Sequence, residues 1–67
     1  MDVVEVQHDR AVVSLGLDEV HALMNSINEA VDAVEDWEFS TRFGVEKDFV
    51  KALWAQLDEV STRLGEG

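Results

Sequence analysis

Residues 15–34 read LGLDEVHALMNSINEAVDAV, and the hydrophobic period changes inside this stretch. From Leu17 onward the apolar positions Leu17, Val20, Met24, Ile27, Val31 and Val34 recur at intervals of three and four, with Leu23 and Ala30 flanking them. That spacing lays one apolar stripe along an amphipathic helix, so a helix is expected over 17–34. Its start is locally specified. Gly16 can serve as N-cap, Asp18 and Glu19 put negative charge against the positive end of the helix, and Leu15 can staple onto Val20.

Upstream of Gly16 the period is two. Val4 and Val6 fall on one face of a first strand and Glu5 and Gln7 on the other. After the polar residues His8, Asp9 and Arg10, the run from Ala11 to Leu15 puts Val13 and Leu15 on one side and Val12 and Ser14 on the other. A β-hairpin over 1–15 follows. Two strands alone are not stable in water, so the helices are expected to cover one of its faces.

Toward the C-terminus, Val50, Leu53, Leu57, Val60 and Leu64 repeat the three-four spacing, and Phe49 and Trp54 widen the stripe. A second long helix is expected over 46–64, with Val45 stapled onto Val50 and Gly65 as the left-handed residue past its end. Between the two long helices, Asp36 can cap a short helix over 37–43 that carries Trp37, Phe39 and Phe43, with Gly44 closing it. The fold class is therefore α+β: an N-terminal β-hairpin, a long helix, a short helix and a second long helix, in one small domain over 1–67. The last three elements form a helical hairpin with a helix-turn-helix-like corner.

The chain has 67 residues, of which 15 are acidic and 5 basic, for a formal charge of −10; 46% are apolar, and cysteine and proline are absent. Without cysteine there are no disulfides, thiolate metal sites or thiol nucleophiles. A domain of this size withdraws only about 60% of its unfolded surface, so stability is expected to be slender. A charge of −10 repels phosphate backbones and anionic lipids, which argues against nucleic acid and membrane as partners. The expected compartment is the cytoplasm, since no apolar run approaches the ~20 residues of a membrane span. Catalysis finds no foothold. Ser14, Ser26, Ser40 and Ser61 lack a glycine elbow, His8 and His21 lie in different elements, and no phosphate-binding glycine loop occurs. Asp18, His21, Asn25 and Asn28 share a helix face, but two of them are amides, poor transition-metal ligands. A hydrogen bond between Asp18 and His21 is the expectation there, with no metal and no cofactor.

The acidic cluster is the strongest polar feature. Glu29, Asp32, Glu35, Asp36 and Glu38 place five carboxylates in ten residues with no base among them. Like charges held together cost stability and favour a cationic partner, whose encounter they accelerate. Trp37 inside this run is the expected exposed anchor, whereas Trp54, beside the Val50, Leu53 and Leu57 line, is expected in the core. Asn28, Thr41, Arg42 and Gly44 read as a structural corner, in which Arg42 pairs with Glu29 or Glu38 and holds the short helix against the long one.

The stretch Leu23, Met24, Asn25, Ser26, Ile27, Asn28, Glu29, with Glu38, Phe39, Ser40, Thr41, Arg42, Phe43, Gly44 after an acidic spacer, is similar to a family of short acidic bacterial proteins. That family carries an L-x-N-x-x-N-E helix and an E-F-x-T-R-x-G turn. The likeness runs from about Ser14 to Leu57. It departs at Met24, where a second asparagine is frequent, and at Glu46, where a Ser or Thr cap is usual. The resemblance implies an immunity-type or accessory protein that neutralises a toxin by binding it. The expected function is thus a non-catalytic inhibitor or immunity module occluding a basic protein partner. Two alternatives stand beside it: a helix-turn-helix DNA-binding regulator, suggested by Ser40, Gly44, Val45, Val50 and Leu53, and a homodimer or larger homo-oligomeric module built on the two apolar stripes.

Overall fold

The computed structural model describes residues 1–66. The elements follow in the order β1 (Asp2–Val6), β2 (Ala11–Ser14), α1 (Leu17–Ala33), α2 (Asp36–Phe43) and α3 (Lys47–Glu66). The α+β reading holds, with a two-stranded antiparallel hairpin ahead of two long helices and one short one.

α1 begins where the period changes. Gly16 is its N-cap, and the Glu19 carboxylate accepts from the Gly16 backbone N–H at 3.0 Å, satisfying a donor the first turn leaves orphaned. The Met1 amino group donates to the same carboxylate, and these two bonds, the terminal one foremost, hold the Glu19 pKa below the usual glutamate range. α2 starts one residue earlier than expected: Glu35, not Asp36, is the N-cap, and Asp36 joins the first turn. Gly44 closes α2 at φ 75°, where its N–H donates to the Ser40 carbonyl at 2.8 Å. A side chain at that φ is strained even with open space around it, so Gly44→Ala should cost about 1 kcal/mol in chemical denaturation. The second terminal glycine behaves differently from expectation. α3 runs on through Gly65 rather than ending at Leu64, and Gly44 is the positive-φ residue among those described.

α1 and α3 pack together as an antiparallel pair, clamped near both ends. His21 in the second turn of α1 hydrogen-bonds Ser61 of α3 at 3.0 Å, so its partner lies across the helix pair and is not Asp18. At the other end Lys47 of α3 donates to the Val31 carbonyl of α1 at 2.8 Å. The buried core is small: Val20 and Phe39 are fully enclosed and Met24 nearly so.

The hairpin departs furthest from expectation. Val3 pairs with Val13 and Glu5 with Val12, leaving Val4 as the extra residue of a bulge. Directly opposed residues share a face, so Val3 and Val6 join Val13 and Ala11 on one side while Asp2 and Glu5 join Ser14 and Val12 on the other. Val6 therefore shares its face with Val3, whereas simple alternation would group it with Val4. The bulge has made the hairpin amphipathic. Neither strand packs on a helix, however, and every strand residue is exposed. The connection to α1 is only Leu15 and Gly16, so the hairpin projects from the helical unit. The radius of gyration, 13.4 Å, exceeds the roughly 10.9 Å expected for a compact chain of this length, and the molecule measures 38 × 31 × 15 Å.

Candidate functional site

The corner where α1 ends, α2 begins and α3 starts is organised by one lysine. α1 has no basic residue in its last turn, so its terminal carbonyls lack a cation from their own helix. Lys47 supplies it from α3. Its ammonium donates to the Val31 carbonyl and to Asp36 Oδ1, each at 2.8 Å, and lies 5.9 Å from the Phe39 ring centroid. The side chain is only 16% exposed, while that of Asp36 is 91% exposed. The hydrogen bond from Lys47, and then its charge, holds the Asp36 pKa below the usual aspartate range; Lys51 adds to the effect. Phe39 is stacked on Phe43 with ring centroids 4.5 Å apart, so one cation ties three helices around one buried ring.

Lys47 divides the acidic cluster in two. Asp36 is engaged by it, and Glu38 pairs with Arg42 at 2.8 Å within α2. Glu29, Asp32 and Glu35 are exposed, and none has a cation within 4.0 Å among the described residues. Trp37, in the first turn of α2 between the two paired carboxylates, is 79% exposed. An indole left in water beside a run of carboxylates is the most prominent side chain of this corner.

The residues read as a structural corner divide similarly. Gly44 closes α2 as expected. Arg42 finds Glu38 one turn away and not Glu29, so it supports α2 alone, and the tie to α1 is made by Lys47 instead. Thr41 and Asn28 are exposed and form no side-chain hydrogen bond among the described residues. Asn28 lines a shallow cavity of about 200 Å³ with Ile27, Val31, Lys51 and Trp54. The Trp54 indole Nε1 is enclosed there with no acceptor, a donor that burial leaves unsatisfied. Trp54 itself is half-buried between the expected core position and the surface.

A second, larger opening lies between the helices. It has a volume of about 390 Å³, and its walls include Leu23, Ile27, Phe43, Val50 and Leu53, with Leu15 at the edge nearest the hairpin. No charged side chain lines it. Sequence periodicity marks Leu23, Ile27, Val50 and Leu53 as part of the apolar stripes, but three helices, one of them only eight residues long, do not close over them. No group of three or more His, Asp or Glu side chains suited to a metal ion occurs among the described residues, and no described helix is long and apolar enough to cross a membrane.

No family profile, no curated protein and no solved structure matches the chain significantly.

Proposed function

We propose that the protein is a small non-catalytic protein-binding module of the immunity or inhibitor type, whose acidic edge occludes a basic surface of its partner. The observation that carries this reading is Trp37, exposed to 79% in the first turn of α2 just after Glu35, in a chain segment whose Glu29, Asp32 and Glu35 have no cation within ion-pair distance among the described residues. A large aromatic anchor next to unpaired carboxylates suits a surface rich in lysine and arginine, which can stack on the indole and pair with the acids. The mechanism is occlusion. A charge of −10 speeds encounter with a cationic groove, and the acids then occupy positions that a phosphate backbone would otherwise take. Enzymes that process nucleic acids carry such grooves, and a toxin of that class is the most concrete partner.

DNA binding is the second reading. What favours it is the succession of short helix, left-handed Gly44 and long helix in α2 and α3. Charge accounting opposes it. Of the five basic residues, Arg10, Arg42, Lys47 and Arg63 each pair with a carboxylate of this chain, leaving Lys51 without an ion pair among the described residues. Phosphate contacts need cations, and the start of α3 presents Glu46, a committed Lys47 and Asp48.

The test is capture of partners from the native cell on immobilised wild type and on the triple variant Glu29→Gln, Asp32→Asn, Glu35→Gln. Asp36 is left unchanged because Lys47 depends on it. A basic protein should be retained by the wild type, and its association rate with the variant should fall about tenfold or more at low salt, with the helical content unaltered. Equal association rates for the two forms would discard the acidic edge as the docking surface. A gel shift of duplex DNA by the wild type at low salt would promote the second reading in its place.

A further inference from the structure

The hairpin and the apolar opening are each incomplete. Val3 is 65% exposed, Val6 72% and Val13 39%, all on the face the bulge has made apolar, and a two-stranded hairpin needs cover on such a face. The opening between α1, α2 and α3 is lined without a single charge and lacks a lid. We propose that the protein is a two-fold symmetric dimer in which each copy lays the Val3, Val6, Ala11 and Val13 face of its hairpin over the other copy's opening at Leu23, Ile27, Phe43 and Leu53.

Area is the first argument. The chain exposes 5262 Å², whereas a compact monomer of 7.5 kDa is expected to expose about 4,200 Å². The surplus, roughly 1,000 Å², is close to the ~800 Å² that one partner contributes to an interface of standard size. The second argument is charge. Two chains of −10 repel, so self-association is feasible where the touching surfaces carry no carboxylates, and the opening and the apolar hairpin face both meet that condition. A cationic partner would find no counter-charge there.

Connectivity is the third. Only Leu15 and Gly16 join β2 to α1, Glu19 ties that junction by accepting from Gly16 and from Met1, and neither strand packs on a helix of its own chain. A short connection of this kind favours exchange of the element between copies over folding back. Reciprocal exchange uses each surface once and closes the assembly at two. The proposal is independent of the acidic-edge reading, since Glu29, Asp32 and Glu35 line no part of the opening.

Sedimentation equilibrium of the wild type from about 1 µM to about 1 mM should show the mass rising from 7.5 kDa to twice that value. Val3→Thr with Val6→Thr keeps β-branched residues in the strand and should weaken dimerisation by at least about 30-fold while leaving helical content unchanged. Because the chain has no cysteine, a Val13→Cys, Leu53→Cys double variant gives a clean geometric readout. Mild oxidation should yield a covalent dimer on a denaturing gel. A monomer at every concentration overturns the proposal, as does an oxidised product that is a closed monomer, which would mean the hairpin covers its own opening. A dimer that the Val3, Val6 substitutions leave untouched and that does not cross-link overturns it too, since some other surface would then join the copies.

Discussion

Replacing Phe39 with alanine is expected to unfold most of the protein. Phe39 is fully enclosed, one of three buried core residues, and is stacked on Phe43 while Lys47 lies over its ring. Truncating a buried phenylalanine removes its transfer free energy and leaves a cavity, together about 3–5 kcal/mol. A domain of this length has on the order of 3–10 kcal/mol in total, so the loss consumes much or all of it. With so few enclosed side chains, the neighbours cannot collapse far into the space. Thermal and urea unfolding followed by circular dichroism should show a collapsed transition for Phe39→Ala and an intermediate one for Phe39→Leu. A midpoint within error of the wild type for Phe39→Ala would mean that the ring is not the hub of the three helices.

The second large effect is expected at Lys47. Lys47→Met keeps most of the aliphatic stem but removes the charged donor from the Val31 carbonyl and the cation from the Phe39 ring. A hydrogen bond from a charged group contributes about 1.5–3 kcal/mol, so a loss of about 2–3 kcal/mol is expected, read as a lower urea midpoint at unchanged slope. The pH dependence supplies an independent readout. Lys47 depresses the Asp36 pKa, so the unfolded chain holds the Asp36 proton more tightly than the folded one. The stabilisation is therefore present above the ordinary aspartate range and fades as pH falls through the depressed value. In Lys47→Met this part of the acid sensitivity should disappear, and nuclear magnetic resonance titration should find the Asp36 carboxyl near its usual range. An unmoved Asp36 titration would show that the pair does not persist in solution.

These two residues illustrate unequal legibility. The sequence places Phe39 on the short helix with Trp37 and Phe43 without saying which of the three is buried, whereas Gly44 is readable from the left-handed conformation that helix ends favour. Lys47 carries a weaker signal in the sequence. A helix ending in Val31, Asp32 and Ala33 with no base in its last turn calls for a cation from elsewhere, and Lys47 is the first base of the next long helix. Arg42 is the more conspicuous base of this corner, but its partner is a glutamate one turn back on its own helix. The acidic run was plain from composition. Its division was legible only in part: the pairing of Glu38 with Arg42 is a local i,i+4 contact, whereas that of Asp36 with Lys47 depends on how α3 folds back against the start of α2.

The order of elements, the helix spans to within a residue or two and the amphipathic stripes were determined by the sequence alone, because hydrophobic period and local capping act over a few residues. Only the tertiary structure decided that Val4 bulges out and realigns Val3 and Val6, that α3 runs through Gly65, and that His21 reaches Ser61. It also decided that the hairpin stands away from the helices. Such outcomes depend on register and on which surfaces meet in space. Period-two alternation is compatible with several pairings, and an apolar stripe demands burial without specifying what will cover it.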